Sequence, residues 1–191
     1  MVDLKDAKAV ETQQADLDKL LDKARKYERF EIIEGKVIPL APTKPIHGLV
    51  AGKVFLMLAL YAQQHKLGRV FAAETGFFTR GDKKTVRAPD VAFVSYQKIP
   101  AGELPGDFLS VAPELAVEVV SPGDRAGEIE TKTREWLDFG AALVWIVYPE
   151  AKRVHVCTIG NQIHVLSTTD KIDGGSILPG FEAAISAFFE D

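Results

Sequence analysis

A single cysteine, Cys157, is present in 191 residues, so no disulfide can close within the chain; cross-linked secreted scaffolds are excluded and a reducing, cytoplasmic setting is expected. Four histidines, His47, His65, His155 and His164, fall in separate segments, and none pairs with another at a metal-ligating interval such as HxxxH, which argues against a zinc centre. Long apolar runs are missing: the longest read as strand-sized or broken by charge, and Met1 to Lys8 alternates charges instead of leading into an apolar signal region. No membrane association or export is therefore expected. A basic surplus is missing as well. With 23 Lys and Arg against 27 Asp and Glu the net charge is −4, whereas a protein living on phosphate contacts normally carries excess positive charge or a basic face. Internal repeats and low-complexity segments are absent.

What is present suffices for a full core: 47% of the residues are hydrophobic, and the length suits one domain better than two. Residues 10–27 place Val10, Leu17, Leu20, Leu21, Ala24 and Tyr27 at spacings of three, four and seven, predicting an amphipathic helix that docks on its own domain. The division expected is a helical extension over residues 1–28 and a main domain over 29–191. Phe30 to Ile38 holds two β-rich arms around Glu34-Gly35, a hairpin with glycine supplying the positive φ. Ile46 to about Lys66 is rich in Leu, Ala, Val and Met without internal proline and predicts the longest helix, with Gly68 as its stop.

Strands are predicted at 70–73, 76–79, 91–95, 115–120, 143–148, 153–158 and 162–166. Ser121-Pro122-Gly123-Asp124 reads as a helix start, with serine as cap and proline at the first helical position, and Gly140 marks that helix's end. Helices alternating with strands indicate a mixed α/β sheet covered by helices.

The strongest chemical signal is a pair of acids at the ends of apolar strand-like runs: Asp90 in Pro89-Asp90-Val91-Ala92-Phe93-Val94, and Glu118 in Leu115-Ala116-Val117-Glu118-Val119-Val120. A carboxylate buried in such a run costs several kcal/mol, of the order given by transfer scales, unless a cation or hydrogen-bond donors compensate. Two such acids suggest one shared cation. On a wheel of 100° per residue with Ile129 at the origin, Trp136 falls at about 340°, Leu137 at about 80° and Phe139 at about 280°, and Lys132 at about 300° lies inside that apolar arc. Glu128, Glu130, Arg134, Glu135 and Asp138 fall outside it. Lys132 can therefore turn back towards the two acids. Two carboxylates and a lysine suit metal-assisted phosphodiester hydrolysis, but a structural ion-pair network or a snorkelling lysine fits the same residues. Arg80 to Arg87 concentrates four basic residues against one acid; a solvated hairpin loop accounts for that charge as well as a phosphate-binding segment does.

Phe30-Glu31-Ile32-Ile33-Glu34-Gly35, His47-Gly48, Pro89-Asp90-Val91, Glu118-Val119-Val120-Ser121-Pro122, Lys132 and Tyr148-Pro149-Glu150 together resemble the Uma (DUF820-like) family of restriction-endonuclease-like proteins, from about Phe30 to the C terminus. That family is grouped with nucleases of the PD-(D/E)xK type. The resemblance implies a mixed α+β restriction-endonuclease-like core, a central sheet flanked by helices, and acids that bind a divalent metal. It matches Asp90 to the PD acid and Glu118 to the acid of the second motif. Val120 stands where the motif's lysine would be, and the resemblance implies that Lys132 on the next helix replaces it. His47 matches a family histidine, though it could equally cap its helix; Glu31 could reach the site or face solvent; Glu74 is expected to be an exposed strand acid. A second acid usual after the hairpin glycine is here Lys36.

The leading expectation is an endonuclease acting on DNA, with Asp90 and Glu118 holding Mg²⁺ or Mn²⁺, the carbonyl of Val119 as a third oxygen and Lys132 assisting the attacking water. A homodimer would suit duplex cleavage, the stripe on the N-terminal helix being the interface visible in sequence. The alternatives are a catalytically inactive nuclease-fold module binding DNA or protein, and a hydrolase of a small phosphorylated compound, which needs no basic groove.

Overall fold

The computed structural model describes residues 16–81, 83–160 and 162–190. Residues 16–24 form helix α1, so the part of the N-terminal stripe that includes Val10 lies outside the described residues. Strands β1 (Phe30–Ile33) and β2 (Lys36–Pro39) make the expected hairpin. Its turn needs two residues at positive φ, and both Glu34 (49°) and Gly35 (74°) take it, the pattern whose twist matches flanking strands. β1 also pairs with β5 (Val86–Arg87), which pairs with β4 (Phe77–Phe78), giving a small sheet ordered β2-β1-β5-β4. The inner side of α1 packs on it: Leu17, Ile32, Phe78 and Val86 form one buried cluster. The described part of the stripe is thus covered by its own chain.

The main sheet has six strands in the order β10-β9-β8-β7-β6-β3. These are β3 (Gly68–Ala72), β6 (Val91–Ser95), β7 (Leu115–Val119), β8 (Leu143–Tyr148), β9 (Arg153–Thr158) and β10 (Gln162–Leu166). Only β7 and β8 run parallel, because the crossover helix α3 (Ala126–Phe139) joins them. Alternation of side chains sorts the strands into two cores. Val91, Phe93, Val117, Val119, Trp145 and Val147 meet helix α2 (Pro45–Gln64) on one face, whereas Ala92, Val94, Ala116, Val144 and Ile146 meet Trp136 of α3 on the other. Glu118 shares the parity of Ala116, which assigns it to the α3 side of the strand. The C-terminal pair β11 (Lys171–Gly174) and β12 (Leu178–Ala184), with a 3-10 turn at Ile185–Phe188, closes the α2 core through Leu178, Phe181, Ile185 and Phe188.

Two local expectations are corrected. Gly68 does not stop α2: Lys66 takes the left-handed conformation (φ 53°), with Leu67 N bonded to Ala62 O, while Gly68 begins β3, where a Cβ would stand 2.2 Å from the carbonyl oxygen of Val94. Ser121 does not cap α3, whose N-cap is Arg125; Asp124 Oδ2 instead accepts from Ser121 N at 2.8 Å, closing a separate turn and leaving the Ser121 hydroxyl for another partner. The longest apolar run is broken by charge only at Lys53, and the 20-residue α2 that contains it is long and apolar enough, by length and composition, to cross a membrane. Its inner stripe of Val50, Val54, Leu58 and Ala62 is buried against the sheet.

Candidate active site

Pro89 has no amide hydrogen to offer a ladder, and the strand proper begins two residues later. Between them, Asp90 is fastened at three points, two on β7 and one on α2: its amide donates to Val117 O (3.0 Å), its Oδ2 accepts from Val119 N (2.7 Å), and its Oδ1 lies 2.9 Å from His47 Nε2. His47, on the first turn of α2 and 8% exposed, places Nδ1 3.1 Å from the hydroxyl of Ser121. With the proton on Nε2, the ring donates to Asp90 and accepts from Ser121. Helix α2, the entrance of β6 and the end of β7 are tied together by this one ring.

Glu118 is held from α3. Its Oε1 accepts from Trp136 Nε1 at 2.8 Å, and its Oε2 is 3.6 Å from Lys132 Nζ. Lys132 also stands 3.3 Å from Glu31 Oε1, an ion-pair approach without hydrogen-bond alignment. Glu31, only 2% exposed on β1, accepts a 2.7 Å bond from Arg87 Nη1, and Arg87 Nε donates to Glu135 Oε2 at 2.6 Å. The chain of charge runs from Glu118 through Lys132, Glu31 and Arg87 to Glu135, joining β7, α3, β1 and β5.

Burial pushes the Glu118 carboxyl up to about 7; the negative charges of Asp90 and Glu31 add to this, against Lys132 and the Trp136 bond. Glu118 and then Glu31 raise Lys132 above its ordinary range, overcoming burial and the Arg87 charge. Burial alone would lower Arg87, but the Glu135 bond and the Glu31 and Glu135 charges leave it raised. Both cations are therefore firmly charged, whereas Glu118 takes up a proton near neutrality.

Glu31, Glu118, Val119, Lys132, Arg87 and Asp124 line a cleft of about 410 Å³. Asp90 and His47 open instead on a neighbouring groove of about 270 Å³ with Glu74 at its edge. The two halves meet at Val119, whose amide holds Asp90 and whose side-chain neighbour along the strand is Glu118. Glu74 is not in a strand: it sits at φ 73° in the turn after β3 and pairs with Arg29 at 2.9 Å.

Three members do not stand out in the sequence. Ser121 reads there as a helix cap. Arg87 reads as part of a solvated basic loop, yet it is buried. Glu135 falls outside the inward arc of α3, yet it reaches Arg87. Its signal was the arginine itself, which needed an acid within reach once buried.

Three carboxylates, Glu31, Glu118 and Glu135, gather around two permanent cations, Arg87 and Lys132, and Asp90 adds its negative charge from the neighbouring groove. That excess of negative charge and the oxygen-only character of the acids fit a hard divalent ion. Among the described residues no three His, Cys, Asp or Glu side chains converge as a complete metal cage.

A family model, Uma2, described as "Putative restriction endonuclease", matches residues 15–186. A crystal structure from Anabaena variabilis, described as "a putative nuclease belonging to DUF820", superposes with a TM-score of 0.74 at 19% identity, covering 84% of this chain and 89% of that one. At that identity the likeness is one of fold. No curated protein matches the chain.

Proposed function

This chain belongs to the Uma2 family, and from that premise we propose that it is a Mg²⁺- or Mn²⁺-dependent endonuclease hydrolysing DNA phosphodiester bonds. The observation that carries the reading is the convergence at the end of β7, where the Val119 amide holds Asp90 at 2.7 Å while the adjoining Glu118 faces Lys132 at 3.6 Å. Asp90 and Glu118, with the carbonyl of Val119, would hold the metal, which supplies Lewis acidity and an activated water when bound.

The chain's own groups divide the remaining work. His47 and the Val119 amide fix the Asp90 carboxylate from two sides, so its orientation is set before substrate arrives. Lys132 is held in its charged form, which suits it to orient a water by hydrogen bonding and to offset negative charge on the phosphate, and not to remove a proton. Glu31 holds Lys132 at 3.3 Å, and Arg87 holds Glu31. A cytoplasmic location and a homodimer acting on the two strands of a duplex complete the proposal.

Nicking of supercoiled plasmid with Mg²⁺ or Mn²⁺ tests it, comparing the unmodified chain with Asp90→Ala and Lys132→Ala over a range of salt. Metal-dependent nicking lost in both variants is expected; no cleavage by the unmodified chain, or equal cleavage by all three, would defeat the assignment.

A second reading is favoured by one observation: Lys132 and Arg87 are already engaged by Glu118, Glu31 and Glu135. A network so far satisfied, on a chain of net charge −4, suits an inactive nuclease-fold module binding DNA or protein. Failure of both metals to bind, seen by calorimetry, would favour it.

A further inference from the structure

Tyr148 has no part in the site so far described, yet the sheet carries it to that site's flank. Glu118 on β7 stands opposite Ile146 on β8, Ile146 opposite His155 on β9, and His155 opposite Val165 on β10, so the four form one row across the sheet. Directly opposed residues share a face, and this one is the α3 face, since Ile146 packs with Trp136. Two strand spacings put His155 about 10 Å from Glu118. Tyr148 ends β8 in the next row of the same face, opposite Arg153.

Helix α3 seats Trp136 over Ala116, Val144 and Ile146, and β10 lies beyond it, with Ile163 and Val165 58% and 54% exposed. Between the helix and these open strands runs a groove of about 600 Å³. Leu137, Ile146, Cys157 and Ile163 give it apolar walls, and the half-buried rings of Tyr148 and His155 line it side by side, their centroids 4.6 Å apart. The groove is continuous with the cleft that holds Glu118 and Lys132, because Val120, Asp124 and Ile129 line both.

Burial, and then the charge of Arg153, lower His155, so its ring is neutral at pH 7. Arg153 itself is exposed and makes no ion pair among the described residues. Arg134, on the helix side, is already held by Glu130 at 2.8 Å. The groove therefore offers two aromatic rings and one uncommitted cation, the make-up of a stacking site and not of a phosphate track.

We infer that this groove receives an unpaired nucleobase of the strand being cut, stacked on Tyr148 and His155 with an adjoining phosphate towards Arg153. The inference rests on the nuclease reading and narrows its substrate to DNA with an unpaired nucleotide beside the cleaved bond, such as a single strand or a flap. A duplex supplies such a base only by taking it out of the stack. Charge favours the same class. A chain of net charge −4 is poorly suited to binding built on many phosphate contacts, whereas stacking asks only for a π face, which every base has. Thr158 and Gln162 line the same groove as hydrogen-bonding groups for a base edge.

Fluorescence anisotropy of a short labelled oligothymidylate with the full chain, in Ca²⁺ and in EDTA, tests this. The single strand should bind more tightly than a duplex of equal length, with a salt dependence of about one phosphate contact. Tyr148→Ala and His155→Ala should each raise the dissociation constant about tenfold, and Tyr148→Phe should leave it unchanged. Leu56→Asp, on the exposed side of α2, is the control that should have no effect. Because Tyr148→Ala also removes half-buried volume, a strand of equal length without bases makes the same comparison on the unmodified chain, and it should bind about tenfold more weakly or worse. Absence of strand binding up to high micromolar concentration overturns the inference and leaves the groove to a polypeptide. Equal binding of the strand without bases, or indifference to both ring variants, overturns it too. Stacking that persists in a chain unable to nick plasmid defeats the nuclease reading alone; metal-dependent nicking with binding indifferent to the rings defeats this inference alone.

Discussion

Lys132 on α3 stands 3.6 Å from Glu118 on β7, although 14 residues and a turn separate them in sequence. Position 120, two residues beyond Glu118, is valine. Its amide is bonded to Val147 O, which continues the β7–β8 pairing just beyond the strand ends. The ammonium has reached the acid from the helix instead. Replacing Lys132 by methionine keeps the stem and removes the charge. Glu118 and Glu31 are then left without their common cation, and a loss of about 3 kcal/mol is expected in urea unfolding above neutral pH, the lower end for a broken buried pair because Lys132 is partly exposed. The loss should shrink below neutral pH, where Glu118 binds a proton instead.

Glu118 makes stability fall with pH. Its carboxyl titrates near 4.5 in the unfolded chain and about 7 in the folded one, so the folded state holds the extra proton. The stability that proton confers is complete below 4.5 and is lost as pH rises through about 7. Urea unfolding across that window should show this slope in the unmodified chain and a flattened one in Glu118→Gln. Added Mn²⁺ or Mg²⁺ should restore stability above pH 7 in the former and have little effect on the latter.

Arg87 is a structural keystone with a sharply defined demand. Its Nη1 and Nε serve Glu31 and Glu135 at once, a fork that lysine cannot reproduce. Arg87→Ala should cost about 3–5 kcal/mol, as one partner is removed from a buried network. Arg87→Lys should recover only part of this. Adding Glu31→Gln to Arg87→Ala should cost less than the sum of the single changes, measured by a double-mutant cycle.

Two glycine-to-alanine changes should act with opposite sign. Gly52→Ala meets no atom and should stabilise the monomer by about 0.5–1 kcal/mol. Gly68→Ala drives a methyl into the backbone of Val94 and Ser95 and should destabilise by about 1–3 kcal/mol. Thermal unfolding at low protein concentration separates the two.

The residues that were legible in sequence are those whose environment is local. Alternation of apolar residues located β6 to β10 to within one residue at most, and the helical wheel turned Lys132 inward. What escaped was decided across the fold. Ser121 lost its capping role because His47, 74 residues earlier, lies 3.1 Å from its hydroxyl and Asp124 holds its amide. Arg87 looked like loop charge because its two acids come from β1 and α3, far away in sequence. β5 is two residues long, too short for any period to show, and β12 follows no simple alternation of buried and exposed residues, with the register of its pairing to β11 shifting at Asp173 and Gly174. Gly68 carries no sign of its strand role, since the backbone that crowds it lies on β6.

The indole of Trp136 gives its only N–H to Glu118, which makes the carboxylate audible to light. An indole's emission responds to the charge beside it, so proton uptake or cation capture at Glu118 should shift Trp136 fluorescence directly. Trp145, the other tryptophan, lies in the core on the opposite face of the sheet among Phe181 and Phe188. Replaced by phenylalanine, it would leave one built-in optical electrode seated at the acid itself.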